Sequence, residues 1–197
     1  MSPRRQMTPS DRLLALLGLS WGLPTLAAIW KGEHGVHGRR GGGVRFVPLM
    51  QRLGAPRDSL RRTIDALIEL GLIARYPFHS HPLRPDLVFT PEGLALAERC
   101  AATLDALDAA GAGDVALRKW SLLAAHALGD GPLGFNAIKR ALPGVTARAL
   151  AITLKDLEAA GLIERRVLEG YPPRPSYSLA DAARGIPRAV SGLLEAA

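Results

Sequence analysis

One short helical segment carries, on a single face, residue types suited to reading nucleic acid. With Leu150, Leu154 and Leu157 inward at i, i+4 and i+7, a rotation of roughly 100° per residue turns Arg148, Ile152 and Lys155 outward. Thr146 stands at the helix start. In a major groove the guanidinium can fork onto a guanine edge, the ammonium can meet a phosphate, and Ile152 can touch a thymine methyl. The plainer reading of the same residues is a solvated basic helix face.

A second helix repeats the stripe with different charges. Leu60, Ile64 and Leu67 point inward, Asp58, Arg62, Asp65 and Glu69 outward, and Arg57 and Arg61 lie at the leading edge. Three acids would then face the phosphates. Asp58 with Arg62 and Arg61 with Asp65 stand at i, i+4, where each pair is worth about 0.2 to 0.5 kcal/mol. This face is expected to bind DNA less well or to meet protein instead. Arg75, Arg84, Arg165, Arg166 and Arg174 fall on hairpin segments that suit phosphate or minor-groove contact. Arg84 and Arg174 each precede a proline, so a turn-stabilising role fits them equally.

Other chemistry finds little support. The single cysteine, Cys100, excludes an intrachain disulfide and any CxxC zinc site, and reads as a small buried hydrophobe. Glu33, His34 and His37 stand in a glycine-rich run with Arg39 and Arg40, which lacks the further carboxylate or cysteine a metal needs and reads as a basic loop. His126, among Leu122, Leu123 and Leu128, reads as a core or interface histidine. There is no Ser-His-Asp set, carboxylate pair or phosphate loop, so neither enzymatic activity nor a metal or cofactor is expected.

The elements that position these residues follow from composition and repeats. The 197 residues are 48% hydrophobic, 5% aromatic and 22% charged with mean hydropathy +0.10, a folded composition sufficient for one domain or two small ones. With 25 basic and 18 acidic side chains the net charge is +7 and the pI about 10.3, which favours an acidic partner, nucleic acid or an anionic membrane. The apolar stretch Leu13 to Trp30 is broken by Gly18, Ser20, Gly22 and Pro24, so it reads as two short helices and not a membrane span. No secretory pattern follows the basic start, and the cytoplasm is the expected location.

The chain repeats itself at an offset of 90. Gly71-Leu72-Ile73 returns as Gly161-Leu162-Ile163, Arg75 as Arg165, Pro82 as Pro172, and Arg84-Pro85 as Arg174-Pro175. Leu60, Thr63 and Leu67 fall on Leu150, Thr153 and Leu157. Phe46 falls on Phe135 and Trp21 on Trp120 once an insertion near residues 31–43 is allowed in the first copy. Each copy reads helix, short strand, helix, helix, hairpin, helix. The predicted fold is mainly α with small β-hairpins (α+β), as tandem winged helix-turn-helix domains forming a pseudo-dimer. Residues 1–95 form the first winged-helix domain with a basic Gly/His insertion at 31–45, residues 96–114 a linking helix and linker, and residues 115–197 the second domain with a C-terminal helix. Long helices are expected at Pro91 to Ala110 and Asp181 to Ala196, packed about a pseudo-twofold axis.

Lys119-Trp120, Gly131, Phe135, Leu142-Pro143-Gly144-Val145, Leu157-Glu158, Gly161-Leu162, Pro172-Pro173 and Tyr177-Ser178-Leu179 resemble, in order and spacing, the HxlR-type winged-helix transcriptional regulators. The first copy keeps Trp21, Phe46, Leu53, Gly71-Leu72-Ile73 and Pro82. The resemblance implies a regulator of double-stranded DNA, with recognition helices in the major groove and wings on the phosphate backbone. Family members usually carry one unit and pair as homodimers, so this chain is expected to be a monomeric pseudo-dimer or a homodimer. A sensing cysteine, where such regulators have one, precedes the Lys-Trp pair closely, whereas Cys100 lies far upstream of Lys119.

A sequence-specific transcriptional regulator is therefore the leading expectation. The alternative is an architectural or DNA-maintenance protein that binds duplex by shape and can bridge segments, which Ala151 and Ile152 favour by offering few hydrogen bonds to bases. A protein-interaction adaptor is the third, suggested by the acids around Asp58 and Asp65.

Overall fold

The computed structural model describes residues 9–32, 43–78, 81–171 and 173–196. They divide into two compact units, the described residues up to 102 together with 193–196, and the described residues of 103–192.

In the first unit α1 (Pro9–Leu17) and α2 (Gly22–Lys31) meet at a 91° bend. Gly22 permits the bend, because a Cβ there would lie 2.7 Å from the Leu16 carbonyl oxygen. Among the described residues no single helix is long and apolar enough to cross a membrane. Val44 then bridges to Leu87 as the short strand, followed by α3 (Phe46–Leu53) and α4 (Arg57–Glu69). Leu26, Leu49, Leu60 and Leu67 are fully buried beneath this helical layer, as the i, i+4, i+7 spacing requires.

Gly71, at φ 72°, ends α4: its own N–H and that of Leu72 return to the carbonyls of Ile68 and Leu67. The wing is an antiparallel pair, β1 (Ile73–Phe78) and β2 (His81–Phe89), with Ile73 opposite Phe89. Pairing continues past a register shift between Tyr76 and Phe78 as far as His81, and a two-stranded sheet has only edge strands, where Pro82 and Pro85 are tolerated.

After the wing, Thr90 caps α5 (Pro91–Ala109): its Oγ1 accepts from the Gly93 N–H at 3.0 Å and donates to the Gly71 carbonyl at 2.7 Å. Gly93 lies so close to the turn that a Cβ would be 1.7 Å from the Leu72 carbonyl oxygen. Cys100 is fully buried, and desolvation pushes its thiol well above the usual range.

The second unit holds a 3-10 turn at Gly113–Leu117, then α6 (Ser121–Ala127), β3 (Leu133–Gly134), α7 (Phe135–Ala141) and α8 (Ala147–Ala159). β4 (Ile163–Leu168) and β5 (Arg174–Leu179) close it in a sheet of order β3-β5-β4, with Leu133 opposite Tyr177 and Ile163 opposite Leu179. Three helices and a small antiparallel sheet make this a winged helix. Gly161, at φ 70°, repeats the Gly71 turn, with the Leu162 N–H returning to Leu157.

The uninterrupted helix expected over Asp181 to Ala196 is replaced by a 3-10 turn, Asp181–Ala183, and a separate α9 (Ile186–Ala196). The repeat supplies the reason. Thr90 and Gly93 correspond to Ala180 and Ala183, so the second copy lacks both the capping hydroxyl and the bare Cα that brings α5 against its turn. Pro187, which has no N–H to donate, suits only the first turn of a restarted helix.

Candidate nucleic-acid interface

α8 is positioned by its buried stripe and by its two ends. Leu150, Leu154 and Leu157 are at most 1% exposed, and Thr153 is buried beside them. Thr146 caps the helix by accepting the Ala149 N–H at 3.1 Å, as the sequence predicts, although its donor is a backbone group and not DNA. Arg118, just ahead of α6, forms an ion pair with Asp156 and fastens the later turns.

Arg148, Ile152 and Lys155 emerge on the opposite face, Ile152 at 52% exposure. Arg165, Arg166 and Arg174 stand exposed on β4 and β5, with Arg165 opposite Tyr177 and Arg166 opposite Ser176. Arg166 pairs with Glu164 at 2.9 Å. Arg148, Lys155, Arg165 and Arg174 have no acidic partner among the described residues. Helix face and wing thus present cations that an incoming polyanion need not strip from an internal partner.

α4 is arranged differently. Arg57, Asp58, Arg61, Arg62 and Glu69 are exposed, and Asp65 is half-buried. The expected Arg61 to Asp65 pair gives way to a contact across elements, Asp65 holding Arg75 of β1 at 2.5 Å. Arg62 reaches the backbone carbonyl of Asp58 at 3.3 Å, not its carboxylate. Arg75 is therefore engaged, whereas in the second copy its counterpart is Arg165 and the position equivalent to Asp65 is Lys155. The side chain of Arg84, His79, and the insertion with Glu33, His34, His37, Arg39 and Arg40 lie outside the described residues. His126 is half-buried and its Nδ1–H donates to the Pro187 carbonyl at 3.3 Å.

The family described as HxlR-like helix-turn-helix matches residues 115–196. An HTH-type transcriptional regulator of Methanothermobacter thermautotrophicus is 39% identical over 77 residues, covering 39% of this chain and 59% of the relative. The HTH-type transcriptional regulator YvaP of Bacillus subtilis is 35% identical over 73 residues, covering 37% of this chain and 68% of that protein. The chain belongs to the HxlR-like helix-turn-helix family. Solved structures similar to this HxlR-like chain include diamide-treated YodB from B. subtilis, 30% identical with a TM-score of 0.36 over 43% of this chain and 79% of that one. The chain spans 59% and 57% of the length of the first two curated relatives it matches, the second being YybR of B. subtilis.

Two features of the HxlR-like unit lie outside the site residues expected from the sequence. Val167 and Leu168 at the end of β4 are 57% and 55% exposed, and Tyr171 beyond them is fully exposed. Consecutive apolar residues at a strand end break the alternation of a half-buried strand, which is the signal that marks them. Lys139 and Arg140, exposed in the last turn of α7, add two further cations.

Proposed function

We propose that this chain is a transcriptional regulator that binds double-stranded DNA, is not an enzyme, and acts in the cytoplasm. α8 enters the major groove, with Arg148 on a base edge, Ile152 against a thymine methyl and Lys155 at a phosphate; Arg165, Arg166 and Arg174 hold the backbone from the wing. Residues 115–197 are the principal reader. Residues 1–95 are a second winged-helix module, whose Arg57, Arg61, Arg62, Arg75 and Arg84 give a weaker, more mixed surface, and residues 96–114 link the two. One chain then supplies both halves of a site as a monomeric pseudo-dimer, or two chains pair as a homodimer. The observation that carries this reading is the set of exposed, acid-free cations on α8 and its wing.

Titration of a labelled duplex against salt tests it. Four phosphate contacts from Lys155, Arg165, Arg166 and Arg174 give a log-log slope of about −3.6, a loss of roughly 150-fold between about 50 and 200 mM salt. An affinity that stays flat over that range sinks the reading. A second reading, duplex binding by shape with bridging of segments, is favoured by the exposed Val167, Leu168 and Tyr171, which suit an apolar wedge at a base step. Footprinting on genomic fragments separates the two, with discrete protected sites for a regulator and even coverage for an architectural protein.

A further inference from the structure

The first unit contains a cavity of about 640 Å³ between the start of α3, one side of α4 and the wing, within the size range of small-molecule sites. Four arginines line it: Arg45, Arg57, Arg61 and Arg75. Two are neutralised within the fold, Arg75 by Asp65 at 2.5 Å and Arg45 by the buried Asp86 at 3.5 Å. Arg57 and Arg61 have no acidic partner among the described residues. They stand at i, i+4 in the first turns of α4, neighbours on one face, and both line the cavity. Phe46, Ile64 and Leu87 supply apolar wall.

The repeat shows that this lining is not part of a shared winged-helix plan. Where the first copy has Arg45, Arg57 and Arg61, the second has Gly134, Ala147 and Ala151. Three of the four cations thus belong to the first copy alone, although the apolar positions persist as Phe135, Leu154 and Tyr177. Exposed arginines that served only solubility would have no reason to converge on one concave surface with an apolar floor.

The geometry points to a binding site for a small organic acid, a carboxylate on an apolar or aromatic body, held by Arg57 and Arg61 with its body against Phe46, Ile64 and Leu87. The guanidinium forks match the carboxylate geometrically, and such a ligand neutralises one of the two positive charges left by the internal ion pairs. This site belongs to the first unit and does not rest on the DNA-binding reading.

Calorimetric titration of the full chain with 1-naphthoate, without DNA, tests it, so a failure leaves the DNA-binding reading untouched. One naphthoate per chain is expected. Binding should weaken about tenfold or more in Arg57→Gln/Arg61→Gln and with the uncharged 1-naphthamide. Far-UV melting reports whether the double variant still folds. Independently, naphthoate should slow amide exchange in Phe46–Leu53 and the first turns of Arg57–Glu69 of the unmodified chain. Equal binding of naphthamide or of inorganic phosphate overturns the proposal, as does protection confined to the second unit. A folded double variant that binds naphthoate normally while losing duplex affinity also overturns it, by assigning these arginines to the DNA backbone.

Discussion

Lys155→Asp is expected to weaken the salt dependence of DNA binding by more than the loss of one cation. In the first unit Asp65 occupies the equivalent position and holds Arg75 of β1 at 2.5 Å; in the second, Lys155 leaves Arg165 without an acidic partner among the described residues. Removing the lysine charge alone, as in Lys155→Ala, cuts the phosphate count from four to three and moves the slope from about −3.6 to about −2.7. A carboxylate there also competes for Arg165. The Asp65 to Arg75 pair is half-exposed, 51% for the arginine and 49% for the aspartate, so such a bridge is worth no more than about 1 kcal/mol, enough to engage most but not all of the Arg165 population. The slope for Lys155→Asp should therefore fall to about −2, and the affinity lost between about 50 and 200 mM salt should shrink from roughly 150-fold to near 15-fold. Fluorescence anisotropy on one duplex, at four or five salt concentrations, reads all three proteins. A slope for Lys155→Asp no shallower than that for Lys155→Ala would refute the capture argument and show that Arg165 is held toward DNA by something other than the absence of an acid.

Arg148→Ala should cost about 1 to 3 kcal/mol of binding and relax preference at one base pair; competition against a panel of single-base variants checks this, and uniform weakening would make Arg148 a phosphate contact. Gly93→Ala ought to destabilise the chain by about 3 kcal/mol in urea melts. The usual helical gain of alanine over glycine, about 1 kcal/mol, is overwhelmed by a Cβ placed 1.7 Å from the Leu72 oxygen, so a stabilised variant would mean that α5 shifts freely. Because burial raises the Cys100 thiol, the neutral thiol's contribution is intact below its ordinary value of 9.0 and is lost as pH rises above it, where only the unfolded chain ionises. Near pH 10 the loss is about 1.4 kcal/mol, and Cys100→Ala should remove that alkaline component while the two proteins show parallel pH dependence below about pH 8; an unchanged alkaline slope in the variant refutes the assignment.

Local rules carried the sequence reading where contacts are local. The Leu150, Leu154, Leu157 stripe and the Thr146 cap each depend on neighbours within one helical turn or so, and each stands where periodicity and capping chemistry put it. The Asp65 to Arg75 pair crosses from helix to strand, and an i, i+4 rule applied to the helix alone selects Arg61 instead. The arginine-lined cavity is less legible still, because Arg45, Arg57 and Arg75 converge only once the hairpin folds back along α4.

The break before α9 shows what a closer comparison of the copies can recover. Thr90 against Ala180 and Gly93 against Ala183 differ at positions where one copy needs a hydroxyl and a bare Cα, and the helix that follows is continuous only in that copy. The same logic separates Asp65 from Lys155 and Arg61 from Ala151. Shared residues account for what the two units have in common, a core and a wing. The unlike pairs set which arginines have an acidic partner among the described residues and which line a cavity, so the difference in charge between the units is concentrated in positions that the offset of 90 aligns but does not match in kind.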